Sequence, residues 1–243
     1  MRILLKISYL GTNYHGWQVQ PNGITIQEQM QNALEALYGT RPALTGCSRT
    51  DSGVHANEFC CHYDTQKYIR EDGIVAALNI ALPNDIAVVS CEYVDDDFHA
   101  RYSAKGKEYV YKIYTSKTPN PFLHGRCLHL NKKLNIDLMN TFAKGLVGKH
   151  DFIAFSASGR TVTDTVRTIN SCEVVQDGDI VTVKVSADGF LYNMVRIIVG
   201  TLIDVSDGKI DCDSAPEIIS SGLRNKAGTT APPHGLYLNK VFY

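Results

Sequence analysis

Short runs of alternating or uniformly apolar residues recur along the chain, separated by polar segments rich in glycine, asparagine and aspartate. Alternation of apolar and polar positions with a period of two is typical of a β-strand with one buried face. The pattern predicts strands over residues 3–9, 59–63, 86–94, 107–115 and 236–243.

Other apolar residues recur every three or four positions, which is the spacing of one buried helix face. The first such helix is predicted to begin at Thr25, because Thr25 and Glu28 have the spacing of a capping box. A short helix is predicted over residues 74–80. The apolar stripes of the three longer helices comprise Ile26, Met30, Ala33, Leu34 and Leu37, then Met139, Phe142, Ala143 and Leu146, then Leu191, Met194, Val195, Ile198 and Leu202.

A long β-hairpin is predicted from residues 168–175 and 180–186. The intervening residues 176–179 include Asp177-Gly178, a strong signal for a tight turn between two strands. This hairpin lies in the second half of the chain, between the second and third longer helices.

The order strand, helix, strand, strand occurs in both halves, so we expect an α+β protein with a largely antiparallel sheet. The boundary is placed after residue 104, giving an N-terminal subdomain (1–104) and a C-terminal subdomain (105–243). Because no low-complexity linker separates these related halves, we expect them to pack with a cleft between them.

Composition limits the possible functions. The 243 residues are 44% apolar, and 24 basic side chains nearly balance 25 acidic ones, so any nucleic-acid contact must come from local basic patches. The first ten residues turn polar too soon for a signal peptide or a membrane span. Seven cysteines without a CxxC pair argue against a disulfide framework, which leads us to expect a soluble, reduced, cytoplasmic protein. A thiol or metal protein built on Cys60 and Cys61 is disfavoured, because neighbours on a strand face opposite ways.

Residues 48–56 form a polar segment that places Arg49, Asp51 and Gly53 within five positions. The segment is too polar for a core, and Gly53 is free to adopt a positive φ, so we expect a tight loop that presents Asp51. If the backbone is extended there, Arg49 and Asp51 leave it on the same side. A surface turn with a local ion pair is the alternative.

Two further segments combine aromatic and polar or basic residues. Residues 9–20 contain tyrosines, glycines and the only tryptophan, and residues 98–104 lead through Lys105 and Lys107 to Tyr109 and Tyr111. Interleaved aromatic and basic side chains are suited to stacking on bases and to binding phosphates. The alternative is that the tyrosines are ordinary half-buried residues of a sheet.

Taken together, these segments resemble the TruA family of tRNA pseudouridine synthases, in order and almost from end to end. The matching motifs are YLGTNYHGWQVQ (9–20), RTDSGVHA (49–56), FHARYSA (98–104) followed by an aromatic strand, GFLYNMVRIIVG (189–200) and APPHGLYL (231–238). The resemblance implies the pseudouridine synthase fold, with two related α/β subdomains and a central active-site cleft. It also implies an isomerase that converts uridine to pseudouridine.

The resemblance assigns roles to individual residues. Asp51 matches the catalytic carboxylate, which acts as nucleophile or as base in breaking the glycosidic bond and joining C5 of the base to C1′. Arg196 matches an arginine that pairs with this aspartate and favours its charged form. Tyr109 matches a tyrosine that stacks on the target base. The remaining substrate-binding residues are Arg49 and Arg101 at the RNA backbone and flipped nucleotide, Leu191 and Val195 as pocket walls, and Lys105 and Lys107 in the basic lining.

Without the resemblance, an arginine inside the apolar segment 190–202 could simply reach from the core to the surface. His55 is expected to pack the loop rather than act as a base. The resemblance further implies a tRNA substrate modified on the 3′ side of the anticodon stem-loop (tRNA positions 38–40), a homodimer, no metal and no cofactor.

The chain departs from the common family pattern at Cys47, Ser48, Ser52 and Glu108. These departures keep two alternatives open: the same reaction at another tRNA or ribosomal RNA uridine, and a non-catalytic RNA-binding homologue. Retention of Asp51, Tyr109 and Arg196 together argues against the second.

Overall fold

A computed structural model of the chain describes residues 1–159 and 163–243. Its strands are β1 (Arg2–Tyr9), β2 (Thr45–Gly46), β3 (His55–Asp64), β4 (Ile86–Val94), β5 (Gly106–Thr115), β6 (Leu128–Leu130), β7 (Gly148–Asp151), β8 (Val166–Asp177), β9 (Ile180–Ala187) and β10 (Leu236–Phe242). Its α-helices are α1 (Ile26–Tyr38), α2 (Glu71–Ala81), α3 (Ile136–Lys144), α4 (Met194–Ser206) and α5 (Ala215–Ser221).

The chain divides into two compact units. Unit 1 contains residues 1–105 and 237–243, and unit 2 contains residues 106–236. This division differs from the expected subdomains at the C-terminus, where β10 pairs with β3 of unit 1. The sequence of β10 identifies it as a strand, but strand partners are chosen by hydrogen bonds between residues far apart in the chain.

Unit 1 is built on a sheet with the strand order β4-β1-β3-β10. Strand β1 is antiparallel to both neighbours, and short β2 is antiparallel to β3. Strand β10 runs parallel to β3, with Tyr237 opposite His55 and Leu238 opposite Ala56. Strand β10 therefore pairs with the N-terminal end of β3, which directly follows the loop that contains Asp51.

Helix α1 confirms the predicted start. The Thr25 Oγ1 accepts a hydrogen bond from the Glu28 N–H at 3.3 Å, which satisfies one of the helix's initial donors. The helix ends at Gly39, whose φ of 76° is a left-handed conformation that glycine adopts without steric cost. Ile26, Met30 and Leu34 are buried, as the apolar stripe predicts.

Strand β3 is covered on both faces, because Cys60 and Cys61 are both completely buried although they point in opposite directions. Burial raises the pKa of the Cys60 thiol to about 12 and that of Cys61 well above its usual value. Both thiols are consequently protonated near neutral pH and pack as small apolar groups.

Unit 2 contains strands in the order β5-β9-β8-β7, and β6 lies parallel to β5. The predicted hairpin is formed by β8 and β9, which pair from Asp177 opposite Ile180. Gly178 lies in the two-residue turn with a φ of 56°. The Asp-Gly signal therefore marks the turn as predicted.

Helices α3 and α4 complete the described core of unit 2. The Asn140 side chain of α3 donates to the Val174 carbonyl at 2.8 Å and accepts from the Val174 N–H at 2.9 Å, which attaches the helix to β8. Helix α4 is buried along most of its circumference, including Val195, Ile198 and Leu202. An apolar surface this wide is typical of a helix inside the core rather than on its surface.

The observed architecture confirms an α+β fold with largely antiparallel pairing. The predicted helical stripes extend slightly beyond the helices: Leu146 follows α3 and Leu191 precedes α4, yet both are buried. The periodic spacing of apolar residues indicates which positions are buried, and burial continues into the turns that flank α3 and α4. In the described part of the chain, every helix is too short or too polar to cross a lipid bilayer.

Candidate active site

The loop that carries Asp51 lies in unit 1 between β2 and β3. The Val54 N–H donates to the Asp51 carbonyl at 3.1 Å, which closes a turn, and Gly53 has a φ of 78°. The positive φ predicted for Gly53 is confirmed. Asp51 is half-buried, whereas Arg49 is exposed.

Residues 9–20 hold this loop from one side through backbone hydrogen bonds. The Trp17 N–H donates to the Thr50 carbonyl at 3.1 Å, and the Gly53 N–H donates to the Tyr14 carbonyl at 3.3 Å. The Ser52 hydroxyl donates to the same Tyr14 carbonyl at 3.2 Å. The residues on both sides of Asp51 are thus fixed by a segment about forty positions earlier in the chain.

Buried side chains add to this support. The Tyr9 and Thr50 hydroxyls form a buried hydrogen bond of 2.8 Å. His55 is completely buried and accepts a hydrogen bond from the Gly11 N–H at 2.9 Å through Nδ1, so it packs the loop as expected. At Gly11 a Cβ would lie 1.9 Å from the Val54 carbonyl oxygen, which excludes any other residue without movement of the backbone.

The aromatic residues of segment 9–20 do not have the expected role in stacking on bases. Tyr9, Tyr14 and Trp17 are each at most 6% exposed, and Trp17 stacks on Phe59 with ring centroids 4.1 Å apart. The Tyr14 hydroxyl donates to the Asp85 carboxylate. The pKa of Tyr14 is raised mainly by burial and further by this hydrogen bond. Their enrichment in one loop reflects the packing beneath Asp51.

The second aromatic and basic segment is different, because its side chains reach solvent. Arg101 and Lys105 are exposed, and the Tyr102 ring is 77% exposed with the Arg101 guanidinium carbon 5.9 Å from its centroid. The His99 Nδ1 accepts hydrogen bonds from the backbone N–H groups of Arg101 and Tyr102 at 3.1 and 3.2 Å. Tyr102 was not singled out from the sequence as a candidate RNA contact, although an aromatic residue next to Arg101 fits the interleaved pattern.

In unit 2, Tyr109 lies on β5 and is 7% exposed. Its ring meets Phe190 edge-to-face, with centroids 5.0 Å apart and an interplanar angle of 85°. Tyr111, two residues along the same strand, is fully buried, and its hydroxyl donates to the Pro232 carbonyl at 2.7 Å. Burial raises the pKa of Tyr111, so its hydroxyl stays protonated.

Arg196 is half-buried in the first turn of α4. Its Nε–H donates to the Ala231 carbonyl at 2.7 Å, and its Nη1–H donates to the Asn193 Oδ1 at 2.8 Å. The guanidinium is therefore held inside unit 2, unlike an arginine that only extends from the core into water. The apolar residues Leu191 and Val195 beside it are 5% and 4% exposed.

The predicted site residues are distributed over both units. Unit 1 contains Arg49, Asp51, Arg101 and Lys105; unit 2 contains Lys107, Tyr109, Leu191, Val195 and Arg196. Asn193 and Ala231, which accept hydrogen bonds from the Arg196 side chain, were not singled out from the sequence. Their position in the matching motifs was a signal for both. Asn193 also lies only three positions before Arg196, whereas the hydrogen bond from Arg196 to Ala231 spans 35 positions and leaves no local pattern.

A metal-ligand cluster does not occur among these residues in the described part of the chain. Among the described residues, the one group of three His, Cys, Asp or Glu side chains whose possible ligand atoms all lie within 4.8 Å of one another is Asp211, Cys212 and Asp213. This surface group lies in the turn before α5 and is separate from the matching motifs.

Comparison with known proteins agrees with the motifs. A sequence profile of the tRNA pseudouridine synthase family matches residues 6–103 and 142–243. Proteins named tRNA pseudouridine synthase A are similar over the whole chain: that of Ruminiclostridium cellulolyticum is 48% identical over 243 residues, covering 100% of this chain and 99% of its own. Those of Thermoanaerobacter sp. (strain X514) and Bacillus subtilis are 46% identical over 241 residues and 44% identical over 245 residues, covering 99% and 100% of this chain and 99% of their own. Because the family profile covers most of the chain and these relatives cover nearly all of it, the chain belongs to the tRNA pseudouridine synthase family.

Proposed function

We propose that this protein isomerises uridine to pseudouridine in tRNA, with Asp51 as the catalytic carboxylate. The observation that supports the proposal is the way the Asp51 loop is held. Its residues on both sides of Asp51 form backbone hydrogen bonds to residues 9–20, while Asp51 itself is only half-buried. A side chain that must react with a nucleotide needs both a rigid support and access to the substrate.

Isomerisation breaks the bond between N1 of uracil and C1′ of the ribose and forms a bond between C5 and C1′; C5 loses its proton and N1 gains one. A carboxylate can attack C1′ as a nucleophile or remove a proton as a base. Both roles need an ionised Asp51, and we assign Arg196 as the cation that pairs with it. Tyr109 is the proposed stacking partner of the target base.

Access to a base in a folded RNA requires the nucleotide to leave its stack, which costs a few kcal/mol. We assign Arg49 and Arg101 to the RNA backbone and the flipped nucleotide, and Leu191 and Val195 to the pocket walls. The exposure of Arg49 and Arg101 supports this assignment. We add Tyr102 as a candidate contact, since an exposed aromatic ring beside an arginine is suited to stacking on a base.

The finer parts of the proposal follow the family resemblance. The substrate is the anticodon stem-loop of tRNA at positions 38–40, the enzyme is a homodimer, and it acts in the cytoplasm without a cofactor. All seven cysteines are free thiols, which supports a reducing compartment.

The test is to incubate the protein with unmodified tRNA and ribosomal RNA transcripts and to map pseudouridine by carbodiimide labelling and reverse transcription. We expect labelled sites at tRNA positions 38–40. Label at a different uridine would replace the proposed substrate but keep the reaction. Complete absence of label, with RNA binding intact, would favour a non-catalytic RNA-binding protein.

Lys105 and Lys107 are predicted to contact RNA phosphates. Replacing both with glutamine should reduce the slope of log K against log salt concentration by roughly 1.4 to 1.8, because each lost contact removes about 0.7 to 0.9. The measurement is tRNA binding over a range of salt concentrations. The matched control replaces the exposed Lys117 and Lys133, which have no assigned role. An equal slope in both double variants would remove these two lysines from the interface.

A further inference from the structure

We propose that Asn193 is a positioning residue for Arg196, and that it sets the orientation of the guanidinium together with the loop of residues 224–231. This inference rests on the proposed function, because it concerns how the cation assigned to Asp51 is aimed. All the residues that carry it lie in unit 2.

Two different acceptors bind the Arg196 guanidinium, each at a different nitrogen. The Nε–H donates to the Ala231 carbonyl at 2.7 Å, and an Nη1–H donates to the Asn193 Oδ1 at 2.8 Å. A planar guanidinium held at two separate nitrogens cannot rotate about its terminal bond without breaking one of these hydrogen bonds. The plane of the group and the direction of its other N–H groups are therefore determined by unit 2.

The backbone conformation of Asn193 is unusual. Its φ of 59° is the only positive φ of a non-glycine residue in the described ranges 1–159 and 163–243. Asparagine is among the few residues that tolerate this left-handed region, at some conformational cost. The residue lies at the N-cap of α4, yet its side chain makes no capping hydrogen bond there. Its amide oxygen is directed to Arg196 instead.

The other acceptor, the Ala231 carbonyl, belongs to a loop that is itself held by hydrogen bonds. The Ala231 N–H donates to the Arg196 carbonyl at 3.0 Å, so the two residues are joined by both backbone and side chain. Upstream, the Gly228 N–H donates to the Thr201 hydroxyl at 2.9 Å. The Arg224 guanidinium donates to the Gly228 carbonyl at 2.9 Å and to the Thr230 hydroxyl at 3.1 Å.

The loop of residues 224–231 also packs closely against α4. A Cβ at Gly200 would lie 1.7 Å from the Thr229 carbonyl oxygen, so helix and loop are in contact through their backbones. Through these contacts Arg224 and Gly200 support the loop that carries Ala231. A charge that is already oriented before the substrate binds needs no reorganisation during the reaction, which is the main advantage of a preorganised polar site.

The experiment compares Asn193→Gly with Asn193→Asp in steady-state pseudouridine formation on tRNA. Glycine and aspartate both tolerate a positive φ, but only aspartate keeps an oxygen that can accept from Arg196. We expect Asn193→Gly to lower kcat by about tenfold to 10²-fold, the range expected for a misplaced catalytic group, with KM for tRNA changed less than about twofold. Asn193→Asp should recover most of the lost kcat.

The control is Asn140→Ala, which removes two hydrogen bonds of similar length between the Asn140 side chain and the Val174 backbone, in the same unit but far along the chain from Arg196. It should lower the melting temperature but leave kcat unchanged. Wild-type kcat in Asn193→Gly, or an equal loss in Asn193→Gly and Asn193→Asp, would overturn the positioning role. Absence of pseudouridine with the wild-type protein would instead overturn the proposed function, so the two failures are distinct.

Discussion

Replacing Asp51 with alanine or asparagine is expected to lower pseudouridine formation by at least roughly 10³-fold while tRNA still binds. Loss of the group that reacts at the sugar removes the chemical step itself, whether the carboxylate acts as nucleophile or as base. Asparagine is the sharper of the two variants, because it keeps the size of the side chain and removes only the negative charge. Single-turnover conversion and equilibrium binding of the same tRNA measure the two effects separately.

The hydrogen bonds described around the loop make this result interpretable. They use the backbone of Thr50 and Gly53 and the hydroxyls of Tyr9 and Thr50, and none of these groups is changed by Asp51→Asn. The control is Asp64→Asn at the end of β3, where the carboxylate accepts two hydrogen bonds of 2.9 Å from Arg2. A surface ion pair of this kind contributes little to stability because water and salt screen it, so turnover should persist. Wild-type turnover in Asp51→Asn would remove Asp51 from the chemistry.

The second large effect is expected from Arg196→Lys, which should lower kcat by about 10²-fold although the positive charge is retained. A lysine ammonium is a compact charge on a flexible stem and cannot reproduce the planar fork that bonds Ala231 and Asn193 at once. The charge is then no longer aimed at one place, and oriented electrostatic contacts of this kind are worth about 10²-fold or more in kcat. Steady-state kinetics on tRNA, with circular dichroism to confirm folding, is the measurement.

Arg41→Lys is the matched control for this change of arginine to lysine. Arg41 also makes hydrogen bonds through its guanidinium, to Asn32 at 2.6 Å and Glu35 at 3.2 Å, but it lies on the surface beside α1. Its substitution should leave kcat within about twofold of the wild type. If Arg196→Lys behaves in the same way, charge alone is sufficient at that position and the orientation of the guanidinium has no catalytic value.

Most of the secondary structure could be predicted from the sequence because its signals are local. The Thr25 cap, the period of the α1 stripe and the Asp-Gly turn at residues 177 and 178 each depend on residues within a few positions of one another. Boundaries shifted where burial continued past a helix end, as at Leu146 and Leu191. The partner of β10 could not be predicted, since a parallel pairing with β3 joins residues about 180 positions apart.

The roles of the aromatic residues show the same limit at the candidate site. The interleaved pattern grouped residues 9–20 with residues 98–104 as segments suited to contact RNA, and it did not distinguish Tyr9, Tyr14 and Trp17 from the exposed Tyr102. Burial separates them, because the first three fill the space beneath the Asp51 loop. Whether a tyrosine meets solvent or another ring depends on the packing of distant segments, which a single chain pattern does not encode.

The chain alone was sufficient to identify the family and the chemistry, since short motifs carry the reactive residue types in a recognisable order. The proposed site residues Asp51, Tyr109 and Arg196 were chosen from the same motifs. The tertiary structure decided how these residues are held: the seat of the Asp51 loop on residues 9–20, and the bonds from Arg196 to Asn193 and Ala231. The physical reason is that hydrogen bonds such as Tyr9–Thr50 and Arg196–Ala231 join residues 41 and 35 positions apart, so they depend on distances and angles between segments that exist only once the chain has folded.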